Sequence, residues 1–435
     1  MLFFEQLNLF CSDTLIGIRN ESMHHFMELC EMPYVIKTVV HSLYKKRICP
    51  VIFRMCTNQK SILVSRSKAV CSGLTSGNGQ FDSPGVSAKY CTYSIMNCAS
   101  NELIDFIVIQ KGQYTGELEK QACQSLLQIL TNEIKLDIAD FVTDRHTGIG
   151  AMMRETFPAI FHAYDVWHMS KSLLKKLTAC NKKHPKVGLW TRSIIKHFWW
   201  CCKECKGNEA LVLEMFHSSL FHLLNVHNWS RRKKIHQQFD QLRVGKRPYP
   251  AQPKLVKQCY HARLFAIDTR STQWFSIEDE DFKALFKIIT GTKFSNDIKK
   301  CCKFIHTGKL ESFYSLKLQY LPKSTGFGMT TTIILTMLAA IQNNVYLESS
   351  SKLKTYSVKQ WSRANKEHVL KNRNIYDYVT FKKTILNDTI KNLKDGKIIN
   401  ADLSSYIRTA VPKTFHGKTA PSKEVLLEKQ KSRME

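Results

Sequence analysis

The 435-residue chain carries 64 Lys and Arg against 36 Asp and Glu, a formal net charge of +28, and its 43% hydrophobic content is ample for a sizeable core. That excludes a wholly disordered basic protein. The longest apolar-leaning stretch, residues 330–341, falls well short of the roughly 20 residues of a membrane-spanning helix, so no membrane partner is expected.

Met1-Leu2-Phe3-Phe4 meets Glu5 with no basic n-region, so no secretion signal is expected. The fifteen cysteines form an odd count and include the adjacent pairs Cys201-Cys202 and Cys301-Cys302. In a long, core-rich chain they read as reduced thiols or metal ligands. A strongly basic protein in a reducing compartment favours a polyanionic partner, nucleic acid first.

Residues 1–65 read as a helical, basic N-terminal region. A ribonuclease H-like core begins at 66, with a strand near 69–74, strands over 88–96 and 103–110 separated by a polar break, and a helix over 117–131. A strand over 137–142, a helix over 148–156, a strand over 160–164 and an amphipathic, lysine-rich helix over 166–177 follow. A hairpin leading into βαβ units predicts an α/β fold, a mixed sheet with helices on both faces. Residues 186–270 read as a mostly helical Cys/His-rich insertion, and 271–350 as a helical completion of the core. Beyond 351 there are 19 Lys and Arg against 8 Asp and Glu, net +11. That segment reads as a partly disordered basic tail.

Two acidic residues occupy telling places in the sheet region, Asp82 in Phe81-Asp82-Ser83-Pro84-Gly85 and Asp144 in Thr143-Asp144-Arg145-His146. Glu311 lies on a later helix. Carboxylates from two strand ends and a helix can hold the paired divalent cations of phosphoryl transfer, Mg²⁺ or Mn²⁺. The structural alternatives are a turn at Asp82, a helix cap at Asp144 and a solvated helix face at Glu311. A second constellation, Cys202-x2-Cys205-x16-His222-x4-His227, has the paired spacing of a structural zinc site, with Cys201, Cys259, His261 and His217 as competing ligands. The alternative is a core role for the cysteines. Basic residues Lys171, Lys175, Lys176, Arg231, Arg232, Lys233 and Lys234 are candidate phosphate contacts.

Five stretches taken together resemble the transposases of the Kolobok group of DNA transposons. They are SGNGQFDSPGVSAKYCTYSIMN (76–97), FVTDRHTGI (141–149), FHAYDVWHMSKSLLKKL (161–177), HFWWCCKEC (197–205) and FIHTGKLESFYSLKLQYLPKSTGFGM (304–329). The resemblance implies a ribonuclease H-like fold and metal-dependent cutting and joining of DNA by a DDE carboxylate triad in the nucleus. It makes Asp144 the second Asp and Glu311 the Glu, and matches Asp165, Trp167 and His168 to the family's Asp-Val-Trp-His motif. The family reads Gly-Asp-Gly-Arg before Asp-Ser-Pro-Gly, whereas this chain has Gly77-Asn78-Gly79-Gln80, so the first Asp is either Asp82 or absent. Tyr314 stands where a His is expected. The family's N-terminal THAP zinc finger has no counterpart in residues 1–65. Two readings follow: a DDE transposase, and a catalytically inactive derivative that binds DNA or protein partners. The oligomeric state is left open, a homo-oligomer being one outcome.

Overall fold

The computed structural model describes residues 15, 20–31, 42, 44–69, 73–85, 88–113, 116–230, 233–242, 254–261, 273–349, 355–362, 366–374, 380–395, 401–404, 406–407, 422 and 424–425. Among these, the strands in chain order are β1 (Leu74–Phe81), β2 (Tyr90–Asn97), β3 (Leu103–Gln110), β4 (Asp140–Thr143), β5 (Phe161–Tyr164), β6 (Thr355–Ser362) and β7 (Glu367–Asn374). The chain forms two compact units, Met1–Ala139 with Gly308–Glu435, and Asp140–Thr307.

In the first unit β1, β2 and β3 pair antiparallel, β1 with β2 from Thr75↔Asn97 to Phe81↔Cys91. Strand β2 and strand β3 are buried along nearly their whole length, because alternate residues face helices on opposite sides. Tyr90, Met96, Phe106 and Val108 join the core built by helices Cys49–Ala69, Gly308–Tyr320, Met329–Ser349 and Thr380–Lys394. On the other side, helix Leu118–Gln128 turns Ala122, Cys123, Leu126 and Leu127 inward.

The first strand corrects an expectation. The strand expected near 69–74 runs instead from Leu74 to Phe81, and Ala69 ends a helix. Its sequence, Leu-Thr-Ser-Gly-Asn-Gly-Gln-Phe, has poor strand propensity; pairing with buried β2 overrides it. Among the described residues of the basic tail, β6 and β7 form a hairpin and Thr380–Lys394 a helix. Phe381, Ile385 and Tyr406 are buried in the core of this unit.

In the second unit β4 and β5 are parallel, from Asp140↔Phe161 to Thr143↔Tyr164, and helix Thr147–Thr156 connects them. Helix Val166–Asn181 leaves β5 and packs on Pro185–Glu204. Helices Glu209–His217, Glu280–Ile289 and Thr292–Lys299 complete a core rich in rings, including Phe198, Phe216, Phe221, Trp229, Phe239, Phe282 and Phe294. Parallel and antiparallel pairings together make the chain a mixed α/β protein. No described helix is long and apolar enough to cross a membrane.

Candidate metal centres

Strands β4 and β5 are each followed directly by an aspartate, Asp144 and Asp165, and the carboxyl ends of parallel strands are where α/β sheets place ligand sites. Asp165 caps helix Val166–Asn181: its Oδ1 accepts the His168 N–H at 2.9 Å. Its Oδ2 accepts the Thr307 backbone N–H and, at 2.6 Å, the Thr307 hydroxyl. Burial raises the cost of its charge, yet bonds from His168 and Thr307 outweigh that and bring its pKa down to about 2. The His168 ring, one turn into the same helix, sets Nδ1 2.9 Å from Asp144 Oδ1 and 3.6 Å from Asp165 Oδ2. Burial opposes its protonation, but the two carboxylates prevail and raise its pKa to about 10. Asp144, Asp165 and His168 thus bring three donor atoms within 4.8 Å of one another.

The second group lies where residues 254–261 run beside the end of the short helix Ser219–Leu223. The Glu214 carboxylate fixes this segment, accepting the N–H groups of Lys254, Leu255 and Val256. Backbone bonds from Trp229 N to Lys257 O and from Cys259 N to His227 O then set the register. His222, His227, Cys259 and His261 converge, with one donor atom from each lying within 4.8 Å of the others. Burial, reinforced by the neighbouring imidazoles, lowers the pKa of His222 to about 4 and also lowers that of His227. Burial pushes the Cys259 thiol up to about 11.

Cys202 and Cys205 are not in this group, which corrects the expected ligand set. Both are buried in the helix core; the Cys205 thiol donates to the carbonyls of Cys202 and Cys302, each at 3.3 Å. Their helix turns them toward the apolar interior, so their Cys-x2-Cys spacing reflects core packing. His217 is buried against Ser295, and burial takes its pKa down to about 4. The partners that complete the group, Cys259 and His261, carried a weaker signal, a Cys-x-His pair separated from His227 by a strongly basic stretch.

The expected carboxylate trio divides between the units, Asp82 and Glu311 in the first and Asp144 in the second. The Asp82 side chain accepts the backbone N–H groups of Lys89 and Tyr90 at 2.9 and 3.0 Å, closing the connection from β1 to β2. Asn78 sits mid-strand in β1, its side-chain oxygen accepting the Gly79 N–H, and the Tyr314 hydroxyl donates to its carbonyl. Glu311 is exposed in the first turn of Gly308–Tyr320. Lys171, Lys175 and Lys176 are exposed on helix Val166–Asn181, with Lys171 over the Trp167 ring. Arg231 and Arg232 lie outside the described residues. Lys233 and Lys234 open helix Lys233–Gln241, their side chains also outside them. The chain matches no protein-family model and no curated protein.

Proposed function

We propose that this chain is a DNA-binding protein derived from a Kolobok-type DDE transposase with a ribonuclease H-like core, acting in the nucleus, and that its cutting chemistry is lost. The observation that carries the reading is that the centre of β1 offers only the amide of Asn78, while Asp82, just past the strand, holds two backbone N–H groups on its Oδ1. A neutral amide binds Mg²⁺ or Mn²⁺ far more weakly than a carboxylate, and two-metal phosphoryl transfer depends on that charge. Asp144, Asp165 and His168 offer the donor set for a single ion, for which His168 would give up its proton. The other ion of this reading is a structural zinc in the His/Cys group.

Binding is supported by the +28 charge, by the exposed lysines of helix Val166–Asn181 and by the β6–β7 hairpin. That hairpin exposes Tyr356, Trp361 and Leu370 beside exposed Lys359, Lys366 and Lys371. A twisted two-stranded ribbon fits a DNA groove, and basic and aromatic side chains suit its phosphates and bases. The test is duplex DNA with the full chain and Mn²⁺, reading binding against salt and nicking on a supercoiled plasmid. The expected result is salt-sensitive binding without nicking. Nicking by the wild-type chain that disappears in Asp144→Ala would overturn the loss of chemistry, and absence of binding at low salt would overturn the DNA reading. Nicking gained in Asn78→Asp would identify Asn78 as the lesion.

A further inference from the structure

We infer that one zinc ion is held in a closed tetrahedron by His222 Nδ1, His227 Nδ1, Cys259 Sγ and His261 Nε2, and that it clasps residues 254–261 onto the end of helix Ser219–Leu223. The inference rests on the zinc reading above and replaces the ligand pairing that the Cys-x2-Cys spacing suggests.

The spacing of the donor atoms carries it. His227 Nδ1 lies 3.2 Å from His261 Nε2, His222 Nδ1 lies 3.3 Å from the same nitrogen, and Cys259 Sγ lies 3.6 Å from His222 Nδ1. Tetrahedral zinc with Zn–N of about 2.05 Å and Zn–S of about 2.3 Å puts its nitrogen ligands about 3.3 Å apart and a nitrogen and a sulfur about 3.6 Å apart. All three edges match that tetrahedron. Mutual hydrogen bonding accounts for them less well, because His261 Nε2 holds at most one proton and faces two ring nitrogens.

The surroundings hold the donors in place. Asn225 Oδ1 lies 3.0 Å from His227 Nε2, the bond that leaves the Nδ1 lone pair directed at the group. Asn225 itself has φ of +58°, the left-handed turn that brings His227 back toward His222. The Trp274 ring packs edge-on against both His222 and His227. With four protein ligands no coordination position stays open, so the ion's work is structural. Three of the four ligands, His222, Cys259 and His261, form a wall of a cavity of about 370 Å³ lined also by Trp190, His197, Trp200 and Tyr260, so the clasp shapes that cavity.

The test uses the full chain, with zinc content by mass spectrometry, the absorption spectrum after cobalt substitution, and melting with and without chelator. The expected result is one zinc per chain, tetrahedral cobalt bands with a thiolate charge-transfer band, and a lower melting temperature on chelation. Cys259→Ser is expected to lose the charge-transfer band, and His261→Ala the zinc. His261→Cys is expected to keep zinc and strengthen the charge-transfer band, which separates ligand loss from misfolding. Cys202→Ser and Cys205→Ser are expected to keep both zinc and band. Zinc retained at full content in His261→Ala, or a charge-transfer band lost in Cys202→Ser or Cys205→Ser but kept in Cys259→Ser, would overturn this ligand set while leaving zinc itself intact. A wild-type chain that binds no zinc would overturn the zinc reading as well, and DNA binding, measured separately, bears on neither.

Discussion

Asp165 concentrates more of the second unit's local order than any other single side chain at the strand ends, capping one helix while tying down Thr307. Asp165→Ala removes the cap and leaves the Thr307 N–H without its buried acceptor, so urea unfolding is expected to show a loss of about 2 to 4 kcal/mol. The pH dependence has two arms. Asp165 has a folded pKa of about 2, below its unfolded value of about 3.9, so its stabilisation is present above pH 4 and is lost as pH falls toward 2. His168 has a folded pKa of about 10, above its unfolded value of about 6.5, so its contribution is full below pH 6.5 and is lost as pH rises through 10. In chelator-treated protein, His168→Gln is expected to flatten the alkaline arm; an unchanged arm would refute the ion pair. Lys317 behaves in the opposite sense. Its ammonium is buried against the Thr92 hydroxyl, and burial lowers its pKa to about 7. The unfolded chain then binds the extra proton, and stability of the first unit is expected to climb between pH 7 and 10.5. Lys317→Met is expected to raise stability by about 1 to 3 kcal/mol at pH 6 and to abolish that climb.

At the scale of elements, the most informative one is the β6–β7 hairpin, which exposes aromatic and basic side chains on both faces. Lys359, paired with Leu370, and Trp361, paired with His368, share one face; Tyr356 and Lys371 share the other. Substituting exposed side chains there is expected to leave stability within about 0.5 kcal/mol. Lys359→Ala with Lys371→Ala is expected to lower DNA affinity and to reduce the slope of log affinity against log salt by about 2, one for each phosphate no longer neutralised. An unchanged slope would remove the hairpin from the proposed DNA-binding surface. The elements also differ in how legible they were. Strand β3 reads directly from Leu-Ile-Asp-Phe-Ile-Val-Ile-Gln, since a strand buried on both faces is apolar throughout. Strand β1 did not, because two glycines and an asparagine describe a turn until a neighbouring strand supplies its partner bonds.

For the whole molecule, the net charge and the two-unit division decide which experiments are clean. Removing everything after residue 351 would strip Phe381, Ile385 and Tyr406 from the first unit's core, so the tail is not a dispensable tether. Point changes on the hairpin isolate charge from folding, whereas truncation mixes them. The His/Cys group lies wholly within Asp140–Thr307. Metal removal is therefore expected to raise hydrogen exchange around residues 219–229 and 254–261 and to leave β1 to β3 protected. Loss of protection in β1 to β3 instead would mean that the ion supports the first unit.

By itself, the sequence determined the existence of a folded basic α/β chain, the order of strands and helices from β2 to helix Val166–Asn181, and the place of Asp144 at a strand end. Those follow from periodicity and composition, which act over a few residues. Only the tertiary structure decided that Asp82 serves a turn, that Cys202 and Cys205 belong to the core, and that Cys259 and His261 meet His222 and His227. Each of those depends on which distant segment a backbone delivers to a side chain, and spacing along the chain does not encode that.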